Sequence, residues 1–186
     1  MLPRTIQKLF LITTFALVSN ANALVINFDD LLDQANGNTL ISNGYNGLNW
    51  SNFYSLRGSD IPNSGYATGV VSSPIIAFNG YGNPASFSST AQFNLVSAYF
   101  TAAWNPGQIT VLGLNSGTQL YSTTFSVVTT SPTLTSFNWS GINEVRFSTN
   151  FSQFAMDNLC LDGSCGTGPV AADTQSSMRY LSLIHI

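Results

Sequence analysis

The stretch Ser97-Ala98-Tyr99-Phe100-Thr101-Ala102-Ala103-Trp104, followed by Asn105-Pro106-Gly107 and then Gln108-Ile109-Thr110-Val111-Leu112, decides the fold. Apolar and polar residues alternate on both sides of a turn tripeptide. Such alternation sends successive side chains to opposite faces of an extended strand. Asn and Gly accept positive φ at low cost, so the tripeptide reads as the turn between two strands.

The same rhythm extends outward from Leu24 to Leu159. It predicts strands over Leu24–Phe28, Leu48–Leu56, Val70–Phe78, Ala85–Asn94 and Ser97–Trp104. Further strands are predicted over Gln108–Leu112, Gln119–Val128, Thr133–Trp139, Glu144–Ser148 and Gln153–Leu159. These segments are rich in Val, Ile, Thr, Phe, Tyr and Trp, which suit a pleated, half-buried surface. Asn79-Gly80-Tyr81-Gly82, Asn115-Ser116-Gly117, Ser131-Pro132 and Ser140-Gly141 punctuate them. A sustained 3.6-residue period is absent after Leu32, and Asp30–Gln34 has room for one helical turn. Short strands at regular spacing specify two packed sheets: an all-β, antiparallel β-sandwich of jelly-roll type over residues 24–165.

Residues 1–23 predict the compartment. Arg4 and Lys8 precede the apolar run Leu9–Val18, and Ser19-Asn20-Ala21-Asn22-Ala23 ends in Ala-x-Ala. That order is a signal peptide with cleavage after Ala23. The run is too short to span a hydrocarbon core, which needs about 20 apolar residues, so no transmembrane segment is expected after cleavage. Cleavage leaves Arg57, Arg146 and Arg179 against eight acids, a net charge of −5 with no lysine. A chain so poor in cations cannot displace phosphate counterions, which excludes nucleic acid as a partner. Charged residues are only 7% of the sequence, but 44% is hydrophobic and 12% aromatic, which supplies a core rather than disorder. Cys160 and Cys165 are expected to form a disulfide in an oxidising compartment, since two thiols cannot complete a zinc site. Beyond them Gly166–Ser177 reads as a flexible linker. Arg179–Ile186, which holds the single histidine, His185, reads as a truncated or non-native tail.

Several segments together resemble a known group. They are Phe28-Asp29-Asp30-Leu31, Gly44-Tyr45-Asn46-Gly47-Leu48-Asn49-Trp50, Gly65-Tyr66, Gly69-Val70-Val71-Ser72 and Ala85-Ser86-Phe87. Ser97–Trp104 and Gln153-Phe154-Ala155-Met156-Asp157-Asn158-Leu159 complete the set. The chain is similar here to an uncharacterised family of small secreted microbial jelly-roll proteins. The resemblance implies a galactose-binding-like jelly roll akin to carbohydrate-binding modules, and it implies no settled activity.

The residues themselves argue against catalysis. Residues 24–165 contain no His, no Lys and no cysteine beyond the expected pair, so nucleophile–imidazole arrangements and zinc hydrolysis lack their parts. Two carboxylates could still serve a glycosidase, but Glu144, the only glutamate, sits in a turn or strand edge and Asp29, Asp30 and Asp157 lie at the two ends of the sequence. Asp29, Asp30 and Asp157 lie at opposite ends of the sequence but are expected to meet, because the first and last strands of a jelly roll are often neighbours. Clustered carboxylates beside an Asn suit a structural Ca2+; the reading favoured over it has Asp29 and Asp30 cap a turn after the first strand and Asp157 accept hydrogen bonds from a loop.

Tyr45, Trp50, Phe53, Tyr54, Tyr66 and Tyr81 cluster among Asn, Ser and Gly. Aromatic faces stack on sugar C–H groups while short polar side chains bond hydroxyls. Tyr45, Trp50, Tyr54, Arg57, Asp60 and Tyr66 are the candidate ligand-binding residues, with Arg57, Asp60 and Tyr66 in an exposed polar loop; a core position is the more usual one for rings such as Trp50 and Trp104. Asn49, Asn138 and Asn150 head sequons for glycosylation, Asn150 being the best placed in a loop. The sequence therefore points to a secreted, non-catalytic module for polysaccharide or glycan at the cell surface or in the matrix. A structural or adhesive wall component is the alternative, and a glycan-active enzyme the remote one.

Overall fold

The computed structural model describes residues 23–31 and 37–165. The signal peptide before Ala23, part of the helical turn over Asp30–Gln34, and the linker and tail lie outside the described residues. Ten strands are present: β1 Leu24–Ile26, β2 Asn38–Leu40, β3 Asn49–Ser51, β4 Phe53–Arg57 and β5 Ile75–Asn79. The rest are β6 Ala85–Ala102, β7 Gly107–Asn115, β8 Thr118–Val127, β9 Thr133–Thr149 and β10 Phe154–Leu161, with one short helix, α1, over Gly65–Thr68. Every pairing among them is antiparallel.

The all-β sandwich is as the alternation specifies, and two long strands hold its layers together. One layer runs β2-β4-β5-β10, then the Leu95–Ala102 part of β6 and the Thr133–Trp139 part of β9, with β1 also on β10. The other runs β3, the N-terminal part of β6, the C-terminal part of β9, β7 and β8. Thus β6 and β9 each cross from one layer to the other. The sequence divides each of them in two, at Leu95-Val96 and at Ser140-Gly141. The structure instead continues the strand through register shifts between Ser88 and Ser97, and through left-handed Asn138 (φ 52°) and Gly141 (φ 68°). Bulges of this kind bend a strand without ending it, which is why turn residues appear mid-strand.

Three other details differ from the alternation. Residues Val70–Pro74 form a loop rather than the start of a strand, because the N–H groups of Val71 and Ser72 are taken by the buried Asp157 carboxylate. β2 and α1, three and four residues long, are too short to show a period.

The main core lies between the layers and is aromatic. Phe147 packs against Phe53, Phe87, Phe100 and Phe154 with ring centroids 5.6 to 6.0 Å apart, within the range of favourable ring pairs. A second, smaller core sits on the outer face of the first layer: Leu56, Tyr66, Ile76, Phe78, Ala103 and Ala155. It is covered by the chain between β4 and β5, which carries α1. The Cys160–Cys165 disulfide is formed, with Cα atoms 6.0 Å apart, and it is compatible with an oxidising compartment. Among the described residues no helix is long and apolar enough to cross a membrane.

Candidate functional site

A line of five aromatic rings crosses the outer face of the first layer. Tyr81 meets Tyr54 at 6.2 Å, Tyr54 meets Phe78 at 5.7 Å, Phe78 meets Tyr66 at 5.3 Å, and Tyr66 meets Trp104 at 5.5 Å. The middle of the line is buried or half-buried, while its ends emerge: Tyr81 is 82% exposed and Trp104 49%. Strand register explains the middle, since Leu40, Tyr54, Phe78 and Ala155 are paired neighbours on β2, β4, β5 and β10. Around Tyr54, Phe78 and Tyr81 lies a groove of about 80 Å³ that is completed by Asn38, Gly80 and Gln153.

Both ends are held in place by side-chain hydrogen bonds. Tyr81 sits in a 3-10 turn over Gly80–Gly82 with φ 57° and ψ 15°, a left-handed conformation unfavourable for an aromatic residue. Asn52 fixes that turn from behind: its Nδ2 donates to the carbonyls of Gly80 (3.1 Å), Asn83 (3.3 Å) and Pro84 (3.0 Å). Asn79 adds a fourth bond, from Nδ2 to the Asn83 carbonyl at 3.0 Å. Asn52 is itself left-handed (φ 56°), at the corner where the chain leaves β3 in one layer for β4 in the other. Residue 80 must be glycine, because a Cβ there would lie 2.4 Å from Cε2 of the Tyr54 ring.

At the other end, Trp104 follows β6 and its Nε1–H donates to Gln153 Oε1 at 3.0 Å, which orients the indole toward the groove that Gln153 lines. Tyr66 supports it edge-on from α1, whose N-cap Ser64 accepts the Tyr66 N–H at 3.2 Å. Burial pushes the Tyr66 hydroxyl well above the usual phenol range, partly offset by the Trp104 side chain, so it stays a neutral donor at any physiological pH.

The structure divides the sequence-predicted site residues between two places. Tyr54 lines the groove. Tyr66 is not exposed in a loop: at 3% exposure it is buried beneath Trp104, because the loop folds down as α1 onto the sheet. Trp50 belongs to the main core at 5% exposure, packed on Phe28, Phe53 and Phe87 with Nε1–H donated to the Tyr45 carbonyl. Tyr45 caps that core, its hydroxyl donating to Asp30 Oδ1 at 2.6 Å; burial and the Asp30 bond both raise its pKa. Arg57 ends β4 and Asp60 lies in the 3-10 turn after it, and neither is a lining residue of the groove. Tyr81 enters the groove as an end platform, whereas Trp104, Gln153 and Asn38 were missed. Tyr81 and Trp104 each carry a signal in the sequence: Gly80 and Gly82 flank Tyr81, and Trp104 directly precedes a turn tripeptide.

Asp157 is buried in β10 and acts as a tie. Its Oδ2 accepts from Val71 N at 2.7 Å and Ser72 N at 2.9 Å; its Oδ1 accepts from Ser72 Oγ at 3.2 Å and Asn158 N at 2.7 Å. Burial pushes its pKa up to about 7 against the pull of those donors, with Asp29 adding repulsion. Asp29 Oδ1 accepts from Ile75 N at 2.9 Å, and Asp30 goes to Tyr45. The first and last strands do meet, as expected, but the three carboxylates are directed at different donors. Among the described residues no group of three His, Cys, Asp or Glu side chains comes together to hold a metal, and each of the three aspartates accepts from protein donors. The three sequon asparagines are exposed, Asn49 on β3, Asn138 at the β9 bulge and Asn150 after β9, where its Oδ1 accepts from Gln108 N at 2.8 Å.

Known proteins match this chain in shape alone. No protein-family model matches the sequence, and no curated protein does. Among solved structures, a DUF4465 family protein from Bacteroides caccae ATCC 43185 superposes with a TM-score of 0.50 at 12% identity, covering 75% of this chain and 98% of that one. The likeness supports the β-sandwich and nothing finer. An arabinose-bound GH51 α-L-arabinofuranosidase shares less: a TM-score of 0.45 at 14% identity over 76% of this chain and 26% of that chain.

Proposed function

We propose that this chain is a secreted, non-catalytic β-sandwich module that binds carbohydrate in the groove lined by Tyr54 and Tyr81, with Trp104 beside it. The observation that carries the proposal is Tyr81: an almost fully exposed ring kept in a left-handed backbone conformation by two buried or half-buried asparagines. Such strain costs on the order of 1–3 kcal/mol and persists where the surroundings enforce it, most often at binding sites. A ring presented in this way offers a flat apolar face, while Asn38 and Gln153 beside it supply amide groups for hydroxyls. Fixing the platform before binding lowers the ordering cost of association.

The absence of His and Lys from residues 24–165 supports a binding rather than a catalytic role. Glu144, the lone glutamate, is engaged by Arg146 at 2.6 and 3.0 Å on the surface of β9, away from the groove. The test is retention of the protein on insoluble cellulose, xylan, mannan and chitin, together with a glycan array. Binding to at least one of these is expected; no retention on any matrix and an empty array would end the proposal.

One feature favours a second reading, that of an adhesive wall or matrix component. β8 is an edge strand of ten residues without a charged side chain, and among the described residues it pairs with β7 alone. Uncharged edges of that length are open to pairing with another strand. Sedimentation at rising concentration separates the readings: a monomer throughout removes the second.

A further inference from the structure

Taking the groove as a carbohydrate site, we infer that its ligand is a neutral, extended polysaccharide chain, bound along its length across both Tyr81 and Trp104 rather than by a terminal sugar.

Three features of the groove lead there. First, two exposed platforms are separate: Tyr81 lines the groove, while Trp104 stands beside it, bonded to the lining residue Gln153. Tyr81 and Trp104 stand at opposite ends of the ring line, with half-buried Tyr54 and buried Phe78 and Tyr66 between them. A single sugar covers one ring, so both platforms are used together only by a ligand of several units. The two contacts then act as linked sites whose affinities reinforce one another. Second, the floor is shallow: about 80 Å³ is too little to enclose even a small oligosaccharide, and far below the volume of a closed ligand pocket. So small a groove cannot enclose a terminal sugar, which favours contacts spread along a chain.

Third, the lining is uncharged. Asn38, Tyr54, Phe78, Gly80, Tyr81 and Gln153 include no cation to receive a uronate or sulfate. The described residues contain two arginines, Arg57 and Arg146, against six acids, and Arg146 is bound by Glu144. An acidic polysaccharide would approach a surface of its own sign without a compensating ion pair. Gln153 contributes to selectivity in a second way. Its Oε1 is occupied by the Trp104 indole, which leaves its amide N–H groups as donors to hydroxyl oxygens.

The experiment uses the protein in affinity electrophoresis against xylan, glucomannan and mixed-linkage β-glucan as neutral probes, and against alginate and polygalacturonate as acidic ones. Calorimetry with oligosaccharides of one to six units from the best neutral probe follows. The inference expects retardation by a neutral polymer and none by either acidic one. It also expects at least a tenfold rise in affinity between two and six units, and loss of most of that gain in either Tyr81→Ala or Trp104→Ala. Preferential retardation by an acidic polymer, or an affinity independent of chain length, would overturn it while leaving carbohydrate binding in this groove intact. Absence of binding to every probe would instead overturn the carbohydrate reading on which it rests.

Discussion

The indole N–H of Trp104 donates to the side-chain oxygen of Gln153 at 3.0 Å, joining the second residue after β6 to the residue that precedes β10. The bond is exposed and adds little to stability, since a net hydrogen bond contributes about 1 kcal/mol or less at a surface. Its effect is on the indole, which it holds at one orientation beside the groove. Gln153→Ala is therefore expected to leave Tm within about 2 °C of wild type and to weaken glycan binding several-fold, measured by calorimetry. Unchanged binding would mean that Trp104 orients without it.

Asn52 couples both layers to Tyr81. Its amide serves three carbonyls, and its own left-handed backbone is one that Asn tolerates better than most residues. Asn52→Ala removes the three bonds and adds backbone strain, a loss of about 2–4 kcal/mol in denaturant unfolding by the usual range for each effect. Binding should fall further than stability, because the turn that presents Tyr81 loses its anchor. A variant that keeps wild-type affinity would show that Tyr81 needs no anchor.

The Asp157 carboxyl sets a pH dependence. Its folded pKa, about 7, lies above the ordinary value near 3.9, so between these limits the folded state binds the extra proton. The stabilising contribution is complete below about pH 4 and is lost as pH rises through 7. Tm should thus rise as pH is lowered from 8 toward 5, by at most a few kcal/mol of stability at about 1.4 kcal/mol per pKa unit. Asp157→Asn should flatten that slope. A Tm that falls steadily over the same interval would place the proton elsewhere.

The same carboxylate bears on calcium. The Asp157 carboxylate accepts four hydrogen bonds from protein donors, and Asp29 and Asp30 have donors of their own. Tm is expected to be the same in EDTA and in millimolar Ca2+, since a ligand stabilises only by binding the folded state. A drop in EDTA that calcium reverses would contradict the tie described here and restore a metal to these aspartates.

Much of this fold is readable in the sequence because alternation is a direct image of a half-buried strand. The turn tripeptides fall where strands end, and Asn115-Ser116-Gly117 forms the left-handed turn its residues suit, with φ 50° at Ser116 and 79° at Gly117. What alternation cannot show is a strand that bends through a bulge, so Gly141 looks like an end when it is a bend within β9. The candidate site was less legible for a related reason. Trp50 and Trp104 both follow strand-like patterns, yet one faces the core between the layers and the other an outer edge. Composition around them does not distinguish the two. Tyr66 was misplaced because four residues of helix leave no periodic trace, while a loop rich in Ser and Gly reads as exposed. Tyr81 carried a signal in its flanking glycines, but its strain depends on Asn52, which is 29 residues earlier in the chain.

The most direct test of the account is to remove both exposed platforms at once. Tyr81→Ala removes a ring that is largely in solvent and Trp104→Ala a half-exposed one that covers Tyr66, so the double variant should fold with a lowered Tm, which unfolding measurements check alongside. Retention on the polysaccharide that holds the wild-type protein is then measured side by side. Loss of retention with the fold preserved is the predicted result; full retention by the folded double variant would show that the groove lined by Tyr54 and Tyr81, with Trp104 beside it, is not the binding site.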